Sequence, residues 1–196
     1  MVLAPHRPYT LPFMTSPIII TIVSCSLNTA SLSHQLALAA EASVRAEGAT
    51  ADLVDLREWE LPICDGAGSF RHRAVEPLSE MVDRASAILV SAPVYNYDLN
   101  AAAKNLVEMT GQAWMDKPVG FLCAAGGERS YMSPIGFANS LMFDFRCLII
   151  PKFVYCTKAD LDADGEFGAP ILERVNELAR TTVTLARALA WASQKP

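Results

Sequence analysis

The chain has 196 residues, which suits one domain or two small ones and is long enough to bury a real core. Hydrophobic residues make up 52% and charged residues 19%, a balance that points to a well-packed α/β domain with some surface hidden in an oligomer. The net charge of −5, with no Lys/Arg stripe, leaves nucleic-acid binding without electrostatic support, and no apolar run approaches the ~20 residues that span a bilayer.

Residues 1–17 carry four prolines and no apolar signal-peptide core. They read as a mobile N-terminal arm, with Met14 as an alternative start. Residues 18–196 read as a single domain in which strands and helices alternate. The continuous apolar run 18–23 is a buried parallel strand. The apolar face of Leu32, Leu36, Ala39, Ala40 and Val44 predicts a helix over 31–47, stopped by Gly48. A second strand covers 51–55. The stretch 56–73 is irregular and long enough to be a functional loop or an interface. A short helix over 75–85 carries Pro77 in its first turn.

A third buried strand covers 87–92 and stops at Pro93. A helix follows over 100–111, with Leu106 and Met109 inward, then a fourth strand over 118–124. A helix rich in large apolar groups covers 134–145, and a fifth strand 148–155. Residues 159–168 read as a solvated turn. Their aspartates have part of a calcium-loop spacing, but Ile171 stands where a closing glutamate would be needed. A closing helix runs over 171–192.

The five cysteines are scattered and form no Cys-x-x-Cys, as in a reducing cytoplasm, and the three histidines have no metal-ligand spacing. Five alternating strands predict a three-layer α/β sandwich around a five-stranded parallel sheet of order 2-1-3-4-5. Ligands of such sheets sit beyond the carboxyl ends of the strands, at the point where the strand order reverses.

Three strand ends carry unusual residues. The first runs straight into a loop of small hydroxyl residues at a helix start, where backbone N–H groups and a positive dipole favour an anion. This loop lacks the glycines of a Walker or Rossmann fingerprint, so a single phosphate monoester fits better than a pyrophosphate. Ser26, Asn28, Ser31 and Ser33 can all donate to it. A serine-rich helix cap is the plainer reading of the same residues. The second strand end carries Pro93, Val94, Tyr95, Asn96 and Tyr97, able to wall a flat heteroaromatic ring or simply to pack. The third carries Gly126, Gly127 and Glu128, where paired glycines allow close backbone approach or an ordinary turn.

These residues resemble those of the NAD(P)H-dependent FMN reductase family. Cys25-Ser26-Leu27-Asn28-Thr29-Ala30-Ser31-Leu32-Ser33 stands where that family has Gly-Ser-Leu-Arg-x-x-Ser-x-Asn. Pro93-Val94-Tyr95-Asn96 matches its Pro-Glu-Tyr-Asn, and Ala103-Lys104-Asn105 its Leu-Lys-Asn. Gly126-Gly127 matches its glycine pair after the fourth strand. The departures are Cys25 for glycine, Asn28 for arginine and Val94 for glutamate. Loss of the arginine removes a charge-assisted contact, for which Arg129 is a candidate replacement.

The resemblance implies a flavodoxin-like fold, FMN as cofactor, NAD(P)H as co-substrate, and a small-molecule electron acceptor such as free flavin, a quinone or an azo compound. It places Ser26, Asn28, Ser31 and Ser33 on the FMN phosphate. Pro93, Val94, Tyr95, Asn96 and Tyr97 would lie on the ring, and Gly126, Gly127 and Glu128 on its other edge. Lys104 and Asn105 would hold the loop from behind. The flavin carries the chemistry, so no catalytic side chain is implied. A homodimer or homotetramer is also implied, with 134–145 and 61–70 as candidate contacts. Rival readings are a flavodoxin-type electron carrier and a non-enzymatic member of the family.

Overall fold

The structure, a computed structural model, describes residues 17–193. The arm expected over 1–17 therefore lies, but for Pro17, outside the described residues. In chain order the elements are β1 (Ile19–Ser24), α1 (Leu32–Ala46), β2 (Thr50–Asp55), α2 (Val75–Asp83), β3 (Ala87–Tyr95), β4 (Asp98–Leu99), α3 (Ala101–Thr110), β5 (Pro118–Ala124), α4 (Pro134–Phe145), β6 (Leu148–Ile149), β7 (Val154–Cys156) and α5 (Ala169–Ser193).

Continuous apolar runs make the sheet. β1 pairs in parallel with β2 from Ile19↔Thr50 to Ser24↔Asp55, and with β3 from Ile20↔Ala87 to Ser24↔Ser91. β5 lies beyond β3, and both β6 and β7 pair with β5. The sheet has seven strands where five were expected, in the order β2-β1-β3-β5-β6 with β7 also on β5, so the parallel strands keep the expected 2-1-3-4-5 arrangement with the fifth place filled by two short strands. The continuous fifth strand expected over 148–155 is broken because Pro151 has no N–H and Lys152 takes a left-handed φ of 58°. The turn between β3 and β4 adds a small antiparallel ladder, Val94↔Leu99 and Tyr95↔Asp98.

Side-chain alternation along the strands divides the core between two faces. Ile20, Ile22, Leu89, Leu122 and Val154 pack with Leu36, Ala40 and Val44 of α1 and Val175, Leu178 and Val183 of α5. Val23, Val90 and Phe121 pack on the other face with Leu78 of α2, Leu106 of α3, Trp114 and Leu141 of α4. Helix α1 ends where Gly48 adopts a left-handed φ of 73° and donates its N–H to the Arg45 carbonyl at 3.0 Å. No helix among the described residues is long and apolar enough to cross a membrane.

One glycine sets the depth of this packing. A Cβ at Gly120 would lie 2.8 Å from Leu89 Cδ2 and 3.0 Å from Leu178 Cδ1, so α5 rests directly on the backbone of β5. Gly120→Ala should lower the unfolding free energy by about 1–3 kcal/mol, read by urea denaturation. An unchanged midpoint would show that α5 yields without cost.

Candidate functional site

The loop after β1 begins in the core and finishes at the surface. Ser24, Cys25 and Ser26 are buried, whereas Leu27 is 63% exposed. Burial carries the Cys25 thiol far above the ordinary cysteine range, so it acts as a small apolar group. The loop bends on its own side chains. Ser26 Oγ accepts the N–H of Asn28 at 3.3 Å, and Asn28 Oδ1 accepts that of Ala30 at 3.0 Å. Ser31 caps α1, accepting the N–H of His34 at 3.2 Å, and its hydroxyl lies 2.9 Å from that of Ser33. No acidic residue occupies the first turn of α1, so no carboxylate competes for its positive end.

Neighbouring strand ends hold this loop. Ser91 of β3 accepts the Cys25 N–H at 2.8 Å and donates its hydroxyl to the Ser33 carbonyl at 2.5 Å. Asn100 donates its side-chain amide to the Cys25 carbonyl at 2.7 Å and its own N–H to the Pro93 carbonyl at 3.2 Å. On the other flank, Asp55 at the end of β2 holds Arg57 through both carboxylate oxygens, and Arg57 Nη1 reaches the Thr29 carbonyl at 3.4 Å. His34 Nδ1 lies 3.0 Å from Ser24 Oγ and 3.6 Å from Asp55 Oδ2. Burial alone would raise the Asp55 carboxyl. The hydrogen bonds and charge of Arg57, with the charge of His34, outweigh it and hold the group below its ordinary value.

The second loop is the tip of a hairpin. β3 passes through Pro93 instead of stopping there. β1 has already left the ladder at Ser24↔Ser91, so no N–H is required of Pro93 on that side. Asn96 and Tyr97 both have positive φ, 51° and 66°, the pattern of a type I′ turn. Tyrosine rarely adopts this conformation, and the two flanking rings, Tyr95 and Tyr97, are more than half exposed at the open end of the sheet. The third loop follows β5, where Ala125 donates its N–H to the Cys156 carbonyl at 2.9 Å.

These three loops enclose a cleft of about 370 Å³. Ser26, Asn28, Ser31 and Ser33 line it from the first loop, Pro93, Val94 and Tyr95 from the hairpin, and Gly126 from the third. Lys158, in the turn after β7, completes the wall. Asn96, Tyr97, Gly127 and Glu128 do not line this cleft. Gly127, Glu128, Arg129 and Ser130 border a separate hollow of about 380 Å³, and Arg129 does not line the first-loop cleft. The Gly127 carbonyl accepts from the Tyr155 hydroxyl.

A larger hollow of about 620 Å³ lies among Cys64, Phe70, Lys104, Glu108 and Phe145. Cys64 and Phe70 come from the stretch after β2, but none of the loops after β1, β3 and β5 contributes to it, so the sheet topology, whose strand order reverses between β1 and β3, favours the smaller cleft. Lys104 pairs with Glu108 at 2.9 Å on that far side. Asn105 accepts the Cys64 N–H at 2.8 Å and donates to the Pro62 carbonyl at 2.9 Å. It therefore clamps the long 56–73 stretch, not the hairpin. Sequence reasoning missed Asn100, Asp55, Arg57 and Lys158. Asn100 had a signal, since it precedes α3 at a cap position, but its side chain makes no cap bond and is spent on the loop instead.

Residues 18–160 match the family model described as NADPH-dependent FMN reductase. The chain belongs to this family. Its members are NAD(P)H-dependent flavin oxidoreductases that use FMN, and the chain is an enzyme of that class. It is 26% identical over 130 residues to an NAD(P)H-dependent FAD/FMN reductase of Geobacillus thermodenitrificans (strain NG80-2), covering 65% of the chain and 70% of that relative. It is 29% identical over 119 residues to an NADPH azoreductase of Bacillus sp. (strain OY1-2), covering 60% and 66%. The fold also matches the X-ray structure of an oxidoreductase from Corynebacterium diphtheriae, with a TM-score of 0.70 at 19% identity, over 91% of this chain and 99% of that one.

The Asp55 pair has a pH signature. Its folded value lies below the unfolded one of about 3.9, so its contribution is complete above that pH and is lost as pH falls through the folded value. Asp55→Asn should cost about 1.5–3 kcal/mol near neutral pH, with the gap to wild type narrowing below about pH 4. Denaturation curves across pH check this. A gap independent of pH would contradict it.

Proposed function

We propose that this chain seats FMN in the cleft of about 370 Å³ and passes electrons from NAD(P)H to a small-molecule acceptor, a flavin, quinone or azo compound. One observation carries the reading: the hydroxyl-lined start of α1 and the strand-end loops after β3 and β5 converge on one cleft. Its size lies in the range of small-ligand sites. The donor set also fits the cofactor. Ser26 Oγ accepts from Asn28 yet keeps its own proton to give, and Ser31 and Ser33 add two more hydroxyls at the positive end of α1. This is the chemistry of a phosphate monoester site. FMN, when bound, supplies hydride acceptance and electron delivery.

The protein's part is to bind, orient and shield. Ser26, Asn28, Ser31 and Ser33 take the phosphate. Pro93, Val94 and Tyr95 wall the ring on the hairpin side, with Asn96 and Tyr97 at the tip for any part of the ring that extends beyond the cleft. Gly126 lets the third loop approach the opposite edge, with Gly127 and Glu128 beyond it. Val94 adds no charge near the ring, and the two exposed tyrosines leave its outer side open to the nicotinamide and then to the acceptor. One open face used in turn by both partners accounts for alternating reduction and oxidation.

The test is FMN titration followed by turnover. The purified protein should bind FMN and then consume NAD(P)H in its presence. Ser26→Ala should weaken FMN about tenfold and leave riboflavin, which has no phosphate, unaffected. Tight flavin binding without nicotinamide consumption would make the chain an electron carrier. No flavin binding would overturn the reading.

A further inference from the structure

We propose that Lys158 supplies the positive charge for the FMN phosphate. The inference rests on the cofactor reading above and concerns how the first loop manages an anion without a charge of its own. Residues 24–33 contain hydroxyls, one amide and no cation. Hydrogen bonds and a helix end equivalent to about half a charge leave much of a phosphate dianion uncompensated, in a protein whose net charge is −5. A cation facing the cleft would compensate that charge, and Arg57, Arg129 and Lys158 are the side chains to compare.

Arg57 touches the loop at the Thr29 carbonyl, but both oxygens of Asp55 hold it, so the pair brings no net charge. Arg129 borders the other hollow. Lys158 is the one cationic side chain among the residues lining the cleft, together with Ser26, Asn28 and Ser31. It forms no ion pair with any described residue.

The chain beneath Lys158 is fixed. Thr157 and Asp160 make a capping box around it: Asp160 Oδ2 accepts the Thr157 N–H at 2.7 Å, and Thr157 Oγ1 accepts that of Ala159 at 3.2 Å. Asp160, the nearest carboxylate in sequence, is thereby occupied. The hydrogen bond from Ala125 to the Cys156 carbonyl ties the same turn to the third loop. The base of the side chain is therefore held at the cleft edge while its ammonium is left for a ligand. A lysine serves here as a compact point charge on a flexible stem, suited to a phosphate whose hydroxyl partners already set its orientation.

FMN and riboflavin titrations of wild type, Lys158→Ala, Lys158→Arg and the double variant Asn28→Arg/Lys158→Ala test this at two or more salt concentrations. Lys158→Ala should weaken FMN about tenfold, with a shallower salt dependence, while riboflavin affinity, which also reports folding, stays constant. Lys158→Arg should keep most of the FMN affinity. The double variant should recover it, because a cation then returns from the loop side. Wild type that prefers FMN to riboflavin, beside a Lys158→Ala variant of equal FMN affinity and salt dependence, overturns the role of Lys158 and leaves the cofactor reading standing. Wild type with no preference for FMN over riboflavin overturns both.

Discussion

Asn100 joins the two loops on which the cleft depends. Its side-chain amide holds the carbonyl of Cys25 and its backbone N–H holds that of Pro93, so the turn into α1 and the turn out of β3 share one residue. The Cys25 carbonyl belongs to chain leaving the sheet, while that of Pro93 lies within β3, where the bond to Asn100 extends the hairpin ladder. Buried main-chain groups left without partners cost about 1–3 kcal/mol each, so the loops have strong reason to stay as they are. Ser91 adds a second tie from the same strand, and Asp55 with Arg57 a third from the opposite side. A first loop held from both flanks is set before any ligand arrives. The ordering entropy of that loop is thus already spent in folding.

The electrostatics follow the same division. The chain is acidic overall, yet its proposed anion site sits where local terms oppose the global charge. The first turn of α1 has no carboxylate, Arg57 is neutralised by Asp55, and Lys158 lines the cleft without an ion pair to any described residue. The hairpin wall is neutral, with Val94 packed at its base and two tyrosines at its tip. Tyr97 keeps a left-handed backbone that glycine would hold more easily. That strain is local, and it leaves an aromatic ring at the open end of the sheet.

The layers and strand order were readable because apolar runs and helical periodicity leave little choice of face or topology. β5 and α4 start where the apolar patterns place them, at Pro118 and Pro134. The fifth strand was misread as continuous because hydropathy does not register the missing N–H of Pro151. The third was cut short at Pro93 because the proline signal was weighed without knowing that β1 had already departed. The hairpin carried no glycine to announce it.

At the site, the serines were legible as a loop at a helix start, since strand, turn and helix are adjacent in sequence. Lys158 was not, because only the pairing of β7 with β5 brings it to a loop far away in the chain. Asn100 was read only as the first residue of a helix, and nothing local shows that its amide faces Cys25. The separation of Gly127 and Glu128 from Gly126 was equally invisible, since it depends on which way the chain turns after β5.

The central claim is that a phosphate monoester is held, fully charged, at the start of α1. Phosphorus NMR of FMN bound to the protein, followed from about pH 5 to 8, tests it most directly, because a free phosphate monoester takes up its second proton near pH 6. The account predicts a single bound resonance that keeps the dianion position throughout, since the hydroxyl donors and Lys158 favour the charged form. A bound resonance that titrates as free FMN does would contradict it.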